Sequence, residues 1–257
     1  MPSQPVEHGV ERPVEPPVER PVEAPVERQS EPRRKVHPQR WSGIERALRA
    51  QFGPLLAGVD EVGRGPLAGP VVACAVIMPP DQRAIAGVDD SKQLTPPERH
   101  RLAVLIRNRA LAIGLGAASA REIDRINIYH ASVLAMRRAL ARLVLAPHHV
   151  VVDGNPVRTL GVAHRAVVGG DGRCYSVACA SIIAKVTRDR LMKSLAVRHP
   201  AYAWSHNMGY ATAEHLAGLD RQGASPHHRR SFSSVAQTRL IFGAPDAVDW
   251  ATAALDD

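Results

Sequence analysis

One short segment near residue 60 constrains the fold of this chain more than any other. A run of apolar residues, 55–59, ends in the adjacent carboxylates Asp60 and Glu61, and a glycine-rich turn that carries Arg64 follows at once. Two neighbouring negative charges repel each other, and a divalent cation removes that cost. The turn adds backbone N–H groups and a guanidinium, which suit a phosphate. The segment therefore predicts a strand that ends at a site for a metal ion and a phosphodiester.

The composition of the chain sets broad limits on its class. Its 257 residues suit one large domain or two small ones. Hydrophobic residues make up 45% of the chain but aromatic residues only 4%, so aliphatic side chains have to fill the core. A formal net charge of +8 and a pI near 10.0 favour a polyanionic partner such as nucleic acid, although an inert basic surface would give the same values.

The three cysteines, Cys74, Cys174 and Cys179, form no Cys-x-x-Cys pair. This pattern argues against a disulfide framework and against a structural zinc site, and it suits a reducing compartment. No run of apolar residues approaches the ~20 that a membrane span needs, and the N-terminus has no apolar signal region. We therefore expect a cytoplasmic protein that does not enter a membrane.

Residues 1–39 form a low-complexity segment in which Val-Glu recurs with a period of four. Prolines scattered through the repeat forbid a helix, so we expect an extended, polyproline-like and disordered tail. Such a tail can act as a simple tether or can recruit a partner. We expect residues 40–243 to form the folded body and residues 244–257 to form a loose acidic end.

The body shows the pattern of a mixed α/β fold, in which helical segments alternate with short β-branched runs. The expected strands cover residues 55–60, 70–78, 112–118, 149–153 and 163–168, the first two as a hairpin. The expected helices cover residues 96–110, 129–145, 175–198, 212–222 and 232–241. The pattern thus predicts a central sheet with flanking helices, followed by a helical C-terminal part.

Two more carboxylates lie where a site is expected. Asp153 ends an apolar strand just before a Gly-Asn-Pro turn, and ligands of α/β sheets collect outside such strand ends. Asp171 lies in the flexible sequence Gly-Gly-Asp-Gly. Taken singly, an aspartate before a glycine also suits ordinary turn chemistry, in which the side chain bonds to the nearby backbone.

A series of motifs identifies a family. In chain order they are residues 58–69 (GVDEVGRGPLAG), 90–94 (DSKQL), 127–128 (NI), 152–155 (VDGN), 170–171 (GD), 180–189 (ASIIAKVTRD), 209–212 (GYAT) and 227–232 (HHRRSF). Over residues 56–235 the chain resembles bacterial ribonuclease HII, the type 2 ribonuclease H family. So many motifs in one order are not expected by chance.

The resemblance implies a ribonuclease-H-like fold with four active-site carboxylates, which here are Asp60, Glu61, Asp153 and Asp171. It implies that these residues are catalytic and bind two Mg²⁺ or Mn²⁺ ions, with Asp171 either completing the set or orienting the attacking water. The family hydrolyses the RNA strand of RNA–DNA hybrids and nicks duplex DNA on the 5′ side of a single ribonucleotide. The expected products are a 3′-hydroxyl and a 5′-phosphate, and we expect a monomer.

Other residues of the motifs are expected to bind the substrate. Through the backbone of Gly63 and Gly65 the turn can approach a ribose closely and read its 2′-hydroxyl, and Arg64 can grip the adjacent phosphate. In the family the tyrosine at the position of Tyr210 stacks on the sugar at the RNA–DNA junction. A tight turn with an exposed arginine, and a core tyrosine, are the alternatives that the residues alone leave open.

Several cations fit either a phosphate contact or a solvated surface. Lys92 lies in its own motif, and Lys185 and Arg188 share one face of an expected helix because they are three residues apart. The basic cluster at residues 227–230 is open to the same two interpretations. One position departs from the family: Met208 stands where a lysine usually precedes the Gly-Tyr pair, which removes one cation near the substrate.

Three other functions compete with this one. Ribonuclease HIII usually has a lysine at the position of Arg64 and a folded N-terminal domain, which residues 1–39 are too short and proline-rich to form. A non-catalytic nucleic-acid-binding protein could lose its carboxylates, but this chain has all four. A phosphate-loop protein needs a Gly-Lys-Ser/Thr ending that residues 63–69 lack.

Overall fold

The structure, a computed structural model, describes residues 41–236. The expected tail at residues 1–39, the expected C-terminal end at 244–257 and all but the start of the expected helix at 232–241 lie outside the described residues. Helical backbone begins at residue 233.

A five-stranded mixed sheet forms the centre of the body, in the order β3-β2-β1-β4-β5. The strands are β1 (Leu56–Val62), β2 (Val71–Ile77), β3 (Ala112–Ala118), β4 (His149–Asp153) and β5 (His164–Val167). The first three strands are antiparallel neighbours, so β1 and β2 form the expected hairpin, whereas β4 and β5 run parallel to β1. The mixed sheet that the sequence predicts is confirmed.

Helices cover both faces of the sheet. They are α1 (Gly43–Phe52), α2 (Pro96–Arg109), α3 (Ala120–Ala141), α4 (Tyr175–Arg198), α5 (Trp204–Asn207) and α6 (Ala213–Gln222). Helix α3 packs on one face with an aliphatic cluster, and α2 and α4 pack on the other with a second cluster. Helices α2, α3 and α4 bury apolar side chains in these two clusters, which is the packing that stabilises an α/β body.

Helix α4 approaches β1 very closely. A Cβ atom added to Gly58 would lie 2.2 Å from the backbone carbon of Ser176, so only glycine fits at this point of the strand. The contact fixes the start of α4 beside the strand that carries Asp60 and Glu61.

The C-terminal part is helical, as predicted. Its own small core joins Tyr202, Trp204 and Leu219 to Leu67 and Ala68, which belong to the turn after β1. A bond from the Leu67 N–H to the Gly209 carbonyl (2.8 Å) fastens the two regions together. The region around Tyr210 is thereby held against the glycine-rich turn.

Two expectations about helices were wrong in part. Helix α1 was not expected, and α3 begins at Ala120 rather than near residue 129 and ends at Ala141 rather than 145. Ser119 and Glu122 form a capping box that starts α3 early, and Asn127 interrupts the helix with a φ of 63°. The expected start near 129 therefore corresponds to the second half of a kinked helix, where the Asn127 side chain accepts a bond from the His130 N–H.

All three cysteines are free and buried, in agreement with the expected absence of disulfides. Within residues 41–236, no helix is long and apolar enough to cross a membrane.

Candidate active site

The ends of two parallel strands bring the first two candidate residues to one edge of the sheet. The pairing of β1 with β4 ends at Val59 and Val152, so the next residues, Asp60 and Asp153, lie side by side where these two strands separate. Asp171 lies on a short 3₁₀ turn, Gly170–Gly172, and the Gly170 N–H donates to Asp153 Oδ1 over 2.6 Å. Strand register and this one bond therefore bring together three carboxylates that are far apart in sequence.

Asp60 is the most confined of these carboxylates, with 6% of the residue exposed. Burial raises the pKa of its carboxyl well above the ordinary value, and the negative charges of Glu61, Asp153 and Asp171 raise it further. A hydrogen bond from Ser181 opposes part of that rise. The four charges thus act on one another at close range.

Glu61 points toward the glycine-rich turn and meets Arg64, whose Nη1 lies 3.3 Å from Glu61 Oε1. Burial raises the pKa of the Glu61 carboxyl, and the Arg64 charge offsets part of the rise. The Arg64 side chain itself is 53% exposed. It therefore stands at the mouth of the site rather than within the protein.

Lys92 is the second cation at the carboxylates. Its Nζ lies 3.3 Å from Asp171 Oδ2 while its side chain is 79% exposed. Burial and the negative charge of Asp171 raise the pKa of Asp153, and a bond from the Gly170 N–H opposes them. Two exposed cations, Arg64 and Lys92, therefore face the largely buried carboxylates.

The chemistry of this donor set fits a divalent cation. Among residues 41–236, no three histidine, cysteine, aspartate or glutamate side chains already stand in an arrangement that would hold a metal ion. The set nevertheless consists of oxygen donors alone, which suit Mg²⁺ or Mn²⁺ rather than zinc. Burial first, and then the neighbouring negative charges, raise the pKa values of Asp60 and Asp153. Within residues 41–236, two cations, Arg64 and Lys92, form ion pairs with the four carboxylates.

The turn after β1 lies next to Tyr210. Gly63 has a φ of +93°, which other residues rarely adopt, and its Cα packs directly on the Arg188 side chain. A Cβ atom on Gly65 would lie 3.6 Å from Tyr210 Cε1, and Tyr210 is 47% exposed. The ring is therefore a surface ring beside the turn and does not belong to the core.

Arg188 does not fit its expected phosphate contact. It is fully buried, and its guanidinium donates to the carbonyls of Pro70, Ala68 and Met208 over 2.9–3.1 Å. Lys185, one turn earlier, pairs with Asp189 over 2.7 Å and is largely covered. The spacing correctly predicted that Lys185 and Arg188 lie on one face of α4. At Arg188, however, that face is buried against the rest of the protein.

The basic cluster at residues 227–230 divides in the same way. His228 and Arg229 are buried and bonded to the protein, whereas Arg230 is exposed. Burial lowers the pKa of His228 to about 3, so this histidine is neutral at physiological pH. Only Arg230 has an exposed side chain that suits a phosphate.

Sequence reasoning missed two structural features around the site. Glu45 of α1 is buried, and its carboxylate accepts bonds from the backbone N–H groups of Tyr175 and Ser176 at the start of α4. Ser91 and Ser181 share a bond of 2.8 Å between their hydroxyl groups beside Asp60. The pattern Ser-x-x-Glu at Ser42–Glu45 is typical of a helix start and could have predicted α1. No local pattern predicts that the Glu45 side chain reaches the start of α4.

The charge of Asp90 was also missed. Burial raises the pKa of its carboxyl, and the nearby Asp171 contributes to the rise. Asp90 Oδ1 also accepts a bond from the Lys92 N–H over 2.9 Å, which fixes the loop that carries this lysine. A fifth carboxylate therefore stands at the rim of the candidate site.

Comparisons with known proteins agree with this geometry. The family model described as Ribonuclease HII matches residues 57–235. Ribonuclease HII of Granulibacter bethesdensis is 54% identical over 194 residues, which cover 74% of this chain and 89% of the relative. Ribonuclease HII of Gluconobacter oxydans is 54% identical over 193 residues, with 74% and 93% covered.

Solved structures show the same fold. Ribonuclease H2 from Pyrococcus horikoshii OT3 superposes with a TM-score of 0.62 at 27% identity, covering 73% of this chain and 98% of that one. A Bst-RNase HIII in complex with Mn²⁺ has a TM-score of 0.61 at 22% identity, with 75% and 71% covered, and supports the fold alone. On the family match and the relatives together, the chain belongs to the ribonuclease HII family and is an endoribonuclease of the type 2 ribonuclease H class.

Proposed function

We propose that this enzyme cleaves the RNA strand of RNA–DNA hybrids and also nicks duplex DNA on the 5′ side of a single embedded ribonucleotide. The observation that supports the proposal most directly is the convergence of four carboxylates, Asp60, Glu61, Asp153 and Asp171, with which two cations of the described chain, Arg64 and Lys92, form ion pairs. A protein keeps such unbalanced charge where a bound cation and substrate complete the site.

We propose that these four carboxylates hold two divalent ions, Mg²⁺ or Mn²⁺. Bound ions of this kind lower the pKa of a water molecule and neutralise charge on a phosphodiester. The protein contributes rigid strand ends for Asp60 and Asp153, and a backbone bond that fixes the Asp153 carboxylate to the turn of Asp171. In this proposal Asp171 orients the attacking water.

The two exposed cations have a further part in the proposal. Arg64 and Lys92 each contact one carboxylate through a long side chain that is mostly in solvent. Such a side chain can exchange its carboxylate partner for a phosphate of the substrate at little cost. Lys185 has a weaker case, because Asp189 already holds it.

We propose that ribose is recognised where Gly65 meets Tyr210. Exposed backbone at the turn can bond to a 2′-hydroxyl, the group that distinguishes RNA from DNA, and the ring offers a surface for the sugar. Tyr210→Ala is therefore expected to lower activity on a single embedded ribonucleotide more than on a long hybrid. Equal losses on both substrates would contradict this role.

The test of the proposed activity is cleavage of a DNA duplex that contains one ribonucleotide, with Mg²⁺ or Mn²⁺. We expect a nick on the 5′ side of the ribonucleotide that leaves a 3′-hydroxyl and a 5′-phosphate, and no nick with Asp60→Asn. Asp81→Asn is the matched control, because Asp81 is an exposed aspartate just beyond β2. Cleavage of long hybrids only would refute the single-ribonucleotide activity, and full activity in EDTA would refute the role of metal.

A further inference from the structure

The glycine-rich turn is held from inside by a buried arginine that lies 166 positions away from Gly63 in the sequence. Arg229 is fully buried, and its Nη2 donates to the carbonyls of Gly63 and Gly69. Its Nη1 donates to the Arg64 carbonyl over 2.8 Å, and its Nε to the Gly69 carbonyl over 3.1 Å. One planar guanidinium therefore grips the turn at both of its ends.

These bonds determine which way the turn presents its N–H groups. In a trans peptide the C=O and the following N–H point in opposite directions. Because the carbonyls of Gly63 and Arg64 point inward to Arg229, the N–H groups of Arg64 and Gly65 point outward. Neither N–H has a hydrogen-bond partner within residues 41–236, and both residues are exposed.

A second buried arginine supports the far side of the same turn. Arg188 donates to Ala68 and Pro70, and its side chain lies against the Cα of Gly63. Within the described part of the chain, neither arginine forms an ion pair with a carboxylate. Burial lowers the pKa of Arg229 to about 9, and the charge of Arg188 adds to this effect, so the Arg229 guanidinium remains charged at neutral pH.

Keeping two like charges buried and unpaired is costly, and backbone carbonyls alone repay the cost. If the turn needed only anchorage, a neutral donor or a tighter apolar contact would serve at lower cost. A rigid fork of donors instead fixes several peptide planes at once, which a lysine or an apolar side chain cannot do. The free-energy cost of burying the two arginines is therefore explained by the orientation that their hydrogen bonds give to the turn.

We propose that Arg229 is a positioning residue for ribose recognition, which directs the N–H groups of Arg64 and Gly65 toward the substrate. The inference rests on the proposed reading of ribose by this turn. Arg229 itself touches no substrate; it acts through the two peptide planes that it holds. Arg188 supports the same arrangement from the side of Ala68 and Pro70.

The test compares Arg229→Lys with Met136→Ala. The lysine keeps the charge but lacks the planar fork that holds the three carbonyls, whereas Met136 is a buried residue in the cluster of α3. Unfolding in urea first establishes how much stability each variant loses. We expect Arg229→Lys to lower kcat/KM on the single-ribonucleotide duplex by about 100-fold, the loss typical of a misplaced contact group, and to lower it less on a long hybrid. Met136→Ala should keep the wild-type ratio between the two substrates.

A second measurement does not depend on catalysis. In ¹H–¹⁵N spectra of the wild type, the Arg64 and Gly65 amide signals are expected to shift when a ribonucleotide-containing duplex is added in EDTA. In Arg229→Lys the same signals should move in the free protein and lose this response, while the amides around Asp171 keep their free positions. If Arg229→Lys kept the substrate ratio and the Arg64 and Gly65 signals of the wild type, the positioning role would be refuted. If the wild type failed to nick the single-ribonucleotide duplex while Arg229→Lys still moved these signals, the proposed function would fail and the positioning of the turn would stand.

Discussion

Two groups of buried charges lie near each other and are used in opposite ways. The acidic group, Asp60, Glu61, Asp153 and Asp171, is bonded only in part, and burial together with the charges of other members raises the pKa values of Asp60 and Asp153. The arginine pair, Arg188 and Arg229, has its guanidinium groups bonded to carbonyls of the protein backbone. The oxygen atoms of the acidic group can still bind a cation or a substrate. The arginine pair uses its N–H groups in hydrogen bonds within the protein.

This difference gives a physical criterion for separating chemistry from support. A buried charge whose bonds are satisfied internally stabilises a conformation, and its removal leaves orphaned partners. A buried charge that repels its neighbours costs stability in the free protein, and its removal relieves that cost while destroying function. The two groups are therefore expected to respond to mutation with opposite signs in stability.

The largest effect is expected for Asp60→Asn. Changing a residue that merely supports a metal ligand typically costs 10–100-fold in activity, so loss of a proposed ligand is expected to cost at least about 100-fold. In EDTA the same variant should unfold at a higher temperature than the wild type, because it removes a buried charge that three others repel. The measurements are nicking rates and thermal unfolding, with Asp81→Asn as the control; a less stable Asp60→Asn would break the contrast.

The pH dependence of stability tests independently whether the Asp60 charge destabilises the folded protein. The folded pKa of Asp60 lies above its ordinary value of 3.8, so the folded state binds a proton more tightly than the unfolded state. This contribution to the free energy of unfolding is fully present below the ordinary pKa and is lost as the pH rises through the folded pKa. Urea unfolding at stepped pH in EDTA should therefore show a decline above pH 4 that is smaller in Asp60→Asn.

The second largest effect is expected for Arg229→Met, in stability. The variant leaves the carbonyls of Gly63, Arg64 and Gly69 without their donor, and each unsatisfied buried group costs about 1–3 kcal/mol. We expect the free energy of unfolding to fall by about 3 kcal/mol or more, measured by urea denaturation. A loss below 1 kcal/mol would mean that water replaces the donor and that the turn does not depend on it.

Glu45 extends the contrast because it is an acid that resembles the arginines. Its carboxylate accepts bonds from Ser42, Tyr175 and Ser176, and within residues 41–236 it forms no ion pair. In Glu45→Gln the amide N–H₂ faces backbone N–H donors, so we expect a loss of about 2 kcal/mol in stability and an unchanged nicking rate per folded molecule. Glu98→Gln is the matched control, since that capping glutamate is exposed and glutamine can replace it. If Glu45→Gln lost more activity than folded protein, Glu45 would contribute to function, as the acidic group does, and not only to stability.

The same distinction explains how far the sequence alone could go. Apolar runs and turn residues predicted β1, β2, β4 and α4 closely, because these elements are set by local pattern and burial. The sequence placed Asp60 and Asp153 each at the end of an apolar run, where ligands of α/β sheets collect, but only the family resemblance implied that they share one site. Local pattern also marked the turn at Gly63, where the chain needs a positive φ.

What the sequence could not show was the direction of a side chain. Arg188 and Lys185 look alike in a helical pattern, yet one is buried under the turn and the other pairs with Asp189. Arg229 lies beside an exposed arginine in the same motif, and only the fold reveals that it reaches Gly63. Such contacts depend on long-range packing, which periodicity does not encode.

The smallest effect is expected for a pair that belongs to neither group. Arg138 Nη2 donates to Glu122 Oε1 over 2.7 Å at the surface, and this bond, together with bonds from Ser119, lowers the pKa of Glu122 to about 2. A lowered folded pKa contributes stability above the ordinary value of 4.5 that is lost as the pH falls toward 2. Because the pair is exposed and solvent screens it, we expect Glu122→Gln to cost only about 0.3–1 kcal/mol at pH 7 and to flatten the decline below pH 4.5. The glutamine preserves the capping box with Ser119, so the difference isolates the ion pair. If Glu122→Gln lowered the free energy of unfolding as much as Arg229→Met, burial would not be what distinguishes the contribution of an interior charge from that of a surface charge.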